Sequence, residues 1–139
     1  MSYASTILAG RRLAESLMTD TFRAYSPGGS TKDADGYDVP GYSDEGETPG
    51  KLSGRSREGD TNTRTVTVGG VERVVVEGGL HIPLSSPVPV AHPTHGWEYV
   101  CTEVGPASDP GLLGRRFRVV DAPMKSTATA RRLDVIQID

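Results

Sequence analysis

T-R-T-V-T-V-G-G-V-E-R-V-V-V-E, Thr63 to Glu77, is the stretch whose reading decides the fold class. Val66 and Val68 alternate with Thr65 and Thr67, a period of two that suits a strand because successive side chains leave opposite faces. Gly69-Gly70 supplies the positive-φ conformations of a two-residue turn and Val71 to Val76 returns, so an antiparallel hairpin is predicted.

Downstream, Gly78-Gly79 reads as a bulge or bend before the alternation Leu80-His81-Ile82. Val88-Pro89-Val90 suits only a short edge strand, since prolines 83, 87, 89 and 93 cannot donate to a central ladder. Trp97 to Val104, Arg116 to Val120 and Leu133 to Ile138 alternate as further strands, and Asp109-Pro110-Gly111 is a turn.

Upstream, Ser2 to about Met18 reads as a helix with Ser2 or Ser5 as its cap and Tyr3, Ile7, Gly10, Ala14, Leu17 and Met18 on one stripe. So short a helix needs a partner for that stripe, and the protein's own sheet is the first expectation, a neighbouring subunit the second. Thr21 to Tyr25 is a strand ended by Ser26-Pro27-Gly28-Gly29. Residues 27 to 62 hold eleven Gly or Pro among many polar residues and read as a long polar loop, with short strands near 36 to 42 and 51 to 57 as an option within it. The expectation is a single, mainly β domain over residues 1–139: a helix about 2–18, a loop about 27–62, and a core about 63–138 forming a small β-barrel or sandwich of about seven short strands.

Composition agrees with that class: of 139 residues 17 are Gly and 10 Pro, only 35% are hydrophobic, and mean hydropathy is −0.37. No apolar run approaches the roughly 20 residues that span a bilayer, and a secretory signal is not evident, so a soluble protein is expected. Cys101 is the single cysteine, which excludes an internal disulfide framework. The net charge of −3 disfavours a protein held to DNA mainly by phosphate contacts. Its distribution is uneven: residues 27 to 62 carry four basic and eight acidic side chains, whereas residues 110 to 139 carry six basic and three acidic.

Lys125-Ser126-Thr127 resembles the end of a phosphate loop, but G-x-x-x-x-G-K-[ST] needs glycines where Val119 and Met124 stand, so the backbone cannot close around phosphates. His92, His95 and Cys101 raise the metal question, yet Pro93 interrupts them and no companion cluster is near. Ser85, Ser86 and Cys101 lack a nucleophile elbow, and Cys101 is expected to be buried. Asp33, Asp35, Asp38, Asp44, Glu45 and Glu47 lack calcium-loop spacing and read as a solvated acidic segment. The expectation is therefore no enzyme, no cofactor, and no catalytic or metal residues.

What remains is basic. Arg115, Arg116, Arg118, Lys125, Arg131 and Arg132 form a candidate surface for a neighbouring subunit or partner, with Arg116 and Arg118 sent to one strand face and Phe117 and Val119 to the other. Lys51, Arg55 and Arg57 are candidate contacts for a partner or DNA from the long loop.

S-Y-A-S-T-I-L-A-G-R-R-L-A-E-S-L-M-T-D-T near the start, then S-D-P-G-L-L-G-R-R-F-R-V-V-D-A-P and M-K-S-T-A-T-A-R-R-L-D-V near the end, carry a resemblance spanning nearly the full length. In these the chain resembles the small head-to-tail connector proteins of tailed bacteriophages, specifically the head-closure or stopper group common in phages of actinobacteria. The resemblance implies a β-barrel subunit with a helix and an extended loop, assembled as a homo-oligomeric ring in the virion neck. Its partners would be itself, a portal-bound adaptor, the tail terminator or other tail proteins, and the packaged DNA that the ring retains or passes. A tail terminator or adaptor is the nearest alternative, and a small β-barrel nucleic-acid-binding module the alternative from another class; few aromatics and the acidic balance weigh against the latter.

Overall fold

The computed structural model describes residues 2–54, 63–68, 70–87, 96–122 and 128–138. Helix α1 (Tyr3–Ser16) is followed by strands β1 (Asp20–Lys32), β2 (Asp38–Gly54), β3 (Thr63–Val68), β4 (Val71–Ile82), β5 (Glu98–Glu103), β6 (Arg116–Asp121) and β7 (Arg131–Gln137). A single 3-10 turn, Pro110–Leu112, lies between β5 and β6. No helix among the described residues is long and apolar enough to cross a membrane.

All the strand pairings are antiparallel, in the order β2-β1-β5-β6-β7-β4, and pairing of β2 with β4 closes these into a six-stranded barrel. The fold is mainly β, a small closed barrel with one N-terminal helix. At the closure Lys51, Leu52, Ser53 and Gly54 lie opposite His81, Leu80, Gly79 and Gly78. The glycine pair thus makes close backbone approach possible within a continuous strand: a Cβ at Gly78 would meet the Ser53 carbonyl oxygen at 3.1 Å.

The core lies inside the barrel. Phe22, Leu80, Tyr99 and Leu133 are fully enclosed, and Phe22 meets Phe117 edge-on, 6.4 Å between ring centres. β6 keeps the expected alternation, with Phe117 and Val119 buried and Arg116 and Arg118 on the outer face. The hairpin predicted from the valines forms as β3 and β4, Val68 opposite Val71 with Gly70 at φ +79°. β4 meets β7 only from Val76 onward, so the β3–β4 hairpin extends past the barrel wall.

The long-loop expectation for residues 27–62 is corrected. β1 continues through Pro27-Gly28-Gly29 to Lys32, absorbing them as a register shift between Pro27 and Ser30, and pairs with β2 back to Asp38. The tip is prefolded: Asp33 Oδ1 accepts the backbone N–H groups of Asp35 and Tyr37, and Gly36 takes φ +83°. Backbone pairing, not apolar burial, holds these polar strands, so hydropathy concealed them. β5 accompanies β1 only as far as the Tyr25–Glu98 pair, and residues 26–44 extend beyond as a two-stranded arm. Residues 55–62 and the edge strand expected at 88–90 lie outside the described residues.

The expected docking of α1 on its own sheet is met in part: Ile7, Gly10 and Ala14 of the expected stripe are half-buried, but the ties run to residues 128–129 ahead of β7 rather than to a strand. Ser2 caps the helix as predicted, its side chain accepting the Ser5 N–H at 3.1 Å, but no α1 residue is buried. Among the described residues its ties to the barrel side include Gly10 against the Thr129 methyl and Arg11 Nε donating to the Ala128 carbonyl at 3.2 Å. Leu13 remains 66% exposed, with Tyr3 and Leu17 exposed on the same side. The physical reason is position: α1 enters β1 at the barrel's end, where only Met18, just past the helix, reaches the interior.

Candidate assembly surfaces

The basic residues chosen from sequence separate into three groups. Arg116 and Arg118 are not a free cationic face: on neighbouring strands β5 and β6 their guanidinium groups converge on Glu98, at 2.8 Å to Oε1 and 3.1 Å to Oε2. Tyr42, reaching over from β2, also hydrogen-bonds this carboxylate. Burial pushes the Glu98 carboxyl up, but bonds from Arg116, Tyr42 and Arg118 outweigh it and hold the group below the usual carboxylate range. The same burial, with Glu98 beside it, pushes the Tyr42 phenol up. Arg116 further stacks toward the Tyr25 ring, 5.9 Å from its centre. This network ties β2, β1, β5 and β6 together, a structural role for two residues expected at an interface.

Lys51 and Arg132, assigned from sequence to different surfaces, come together. Lys51 of β2 stands opposite His81 of β4, which stands opposite Arg132 of β7, so the side chains share one outer row. Lys51 belongs to the barrel wall, which corrects its placement in a loop. Burial, then the charges of Arg132 and Lys51, pull the His81 imidazole below its ordinary value, with Asp134 opposing. Its Nε2 lies 3.3 Å from the Ser53 hydroxyl, and Arg132 Nε approaches Asp134 at 3.4 Å. Arg131 follows on β7, opposite Ile82, half-buried with its Nε unbonded among the described residues. Lys125, Arg55 and Arg57 lie outside the described residues.

Arg115 sits elsewhere, its Nε donating to the Gly111 carbonyl at 3.1 Å. With Lys51 it borders a cleft of about 660 Å³ at the barrel end where β1 begins, floored by Leu17, Leu52 and Leu112. The wall is fixed by Asp20, a buried acid that sequence reading missed. Its Oδ1 accepts the Gly105 N–H at 2.8 Å and the Ser108 hydroxyl, tying the end of α1 to the turn after β5.

The arm is the acidic counterpart. Arg23 pairs with Asp44 at 2.6 Å and Glu47 at 3.0 Å near its base, and Lys32 with Asp38 at 3.1 Å near its tip, while Asp33 and Asp35 are exposed. Glu45 accepts from the Ser26 hydroxyl.

Cys101 is 1% exposed, and burial with nearby Asp20 pushes its thiol up, the environment of an unreactive core cysteine. His92 and His95 lie outside the described residues, among which no cluster of three His, Cys, Asp or Glu has metal-holding geometry.

The chain belongs to a family of unknown function, DUF6093, whose model matches residues 10–136. No curated protein matches it by sequence.

Proposed function

We propose that this member of the DUF6093 family is a structural neck protein of a tailed bacteriophage, a head-closure ring that joins the portal-adaptor complex to the tail and retains or passes packaged DNA. The observation that carries the reading is a small closed barrel whose recognition surface is displaced outward: a β-arm, a second hairpin, and a helix whose leucines are not covered by its own barrel. A barrel with satisfied edges needs no neighbour to fold, whereas exposed Tyr3, Leu13 and the cap residue Leu17 on one side of a short helix suit a partner subunit.

The charge pattern supports passage of DNA rather than grip. A ring built from a chain of net charge −3 does not attract phosphate strongly, so a duplex moves without being trapped by ion pairs. Virion localisation follows from the same reading.

The test is electron microscopy of necks from the virus encoding this chain, with the protein labelled. Density for a ring of copies between portal and tail tube supports the reading; label anywhere else in the particle, or absence from it, refutes it.

A further inference from the structure

The tip of the β1–β2 arm and the cleft at the opposite end of the barrel match in chemistry. At the tip Tyr37 is 72% exposed and stands among exposed Asp33, Asp35 and Asp38. Lys32 compensates Asp38, so Asp33 and Asp35 leave the tip negative. The turn's own hydrogen bonds fix the backbone at Asp35 and Tyr37 before any contact forms, which lowers the ordering cost of docking. The cleft offers the reverse: an apolar floor of Leu17, Leu52 and Leu112 with Lys51 and Arg115 at its border. The lining also holds two acids, buried Asp20, which accepts from Gly105 and Ser108, and exposed Asp109, which accepts the Gly111 N–H at 2.9 Å, so its charges balance overall and the contrast with the tip lies in the two cations at its border.

We infer that the arm tip of one copy docks in the cleft of a second copy, Tyr37 on the leucine floor and the tip carboxylates toward Lys51 and Arg115. A buried tyrosine flanked by paired charges is the residue type that dominates such interfaces, and the cleft volume exceeds what one phenol ring needs. The arm cannot fill its own cleft. The cleft lies where β1 begins and the tip where it ends, and 13 residues of strand separate them by roughly 40 Å. The contact therefore uses two different patches and is heterologous, which generates closed rings or open filaments according to its rotation. It deepens the connector reading, on which the choice of ring over filament rests.

The test is sedimentation of the intact chain at high protein concentration and low salt. Wild type is expected to self-associate, and Tyr37→Ala, Asp35→Lys (which leaves the Asp33 turn bonds in place), and Lys51→Glu/Arg115→Glu each to weaken this by at least about tenfold, since like charges facing each other are costly. Mixing the arm-reversed with the cleft-reversed protein is expected to restore association, which no folding defect would do. Monomeric wild type, association indifferent to these substitutions, or no restoration on mixing overturns the inference. So does a cleft that the Lys51→Glu/Arg115→Glu protein loses only for an added acidic partner, with self-association intact. The connector reading fails separately, by the position of the protein in labelled particles.

Discussion

Arg118 donates to Glu98 Oε2 at 3.1 Å, and the carboxylate it meets is only 3% exposed. The pair is asymmetric: the acid is enclosed while both of its arginine partners keep about a third of their surface in water. Removing the acid frees two guanidinium groups that solvent can still reach; removing the arginines strands a buried charge. We predict that Glu98→Ala costs about 2 kcal/mol, below the range for a fully buried pair because the arginines stay hydrated, and that Arg116→Ala/Arg118→Ala costs more. Urea unfolding of the three proteins checks the order; a costlier Glu98→Ala contradicts it.

The same carboxylate gives an acid limit. Its folded value is depressed, so the unfolded chain binds the proton more readily, and stability rises with pH through this window. The contribution is full above the unfolded value near 4.5 and is lost as pH falls through the lower folded value. Melting temperature should drop steeply below that point in wild type and less steeply in Glu98→Gln.

His81 acts in a higher window with the same sign. Lys51 and Arg132 face it from the adjoining strands, with Asp134 the opposing charge, and its folded value lies below 6.5. Stability is complete above 6.5 and declines as pH falls through the folded value, because charging the ring puts a cation on a half-buried group and makes it the third in the row. His81→Gln should flatten the stability profile there while leaving the carboxylate step of Glu98 in place; an unchanged profile removes His81 as its source.

The valine alternation carried the class of fold because strand period shows in it even though the hairpin runs past the barrel wall and Val71 and Val76 are exposed, whereas in Phe117-Arg118-Val119 period and burial coincide. The arm was concealed for the opposite reason. Thr31, Lys32, Asp38 and Val39 pair through backbone atoms with both faces in water, so periodicity carries no signal, and Gly-Pro content points to a loop. In the site, the strand expected from W-E-Y-V-C forms and Cys101 is buried as expected, with Tyr99 enclosed beside it. The enclosure of Glu98 depends on Tyr42, Arg116 and Arg118 arriving from distant strands, which no local pattern reports. Lys51 and Arg132 likewise meet only through barrel closure.

Gly105 tests whether the helix-to-barrel joint is as tight as its hydrogen bonds imply. A Cβ there would lie 2.5 Å from Thr19 Oγ1 and 3.0 Å from the Thr19 carbonyl oxygen, and the Gly105 N–H is the one that Asp20 accepts. We expect Gly105→Ala to destabilise by about 2 kcal/mol through overpacking, whereas Gly28→Ala, with nothing within 4 Å of its Cβ, stays within about 0.5 kcal/mol. Thermal melts of the two proteins decide; equal losses would mean that the joint relaxes.

Asp33 separates arm stability from barrel stability. Its carboxylate holds the tip turn through Asp35 and Tyr37, while the barrel's core residues, Phe22 and Leu80 among them, lie on the other side of the Tyr25–Glu98 pair. An isolated two-stranded ribbon is marginal in water, so loss of about 1 kcal/mol at the turn should open the arm without unfolding the domain. Hydrogen exchange in Asp33→Ala is expected to quicken across 26–32 and 38–44 and to stay unchanged in β5 and β6. Faster exchange in Tyr99 or Phe117 as well would show that arm and barrel unfold as one unit.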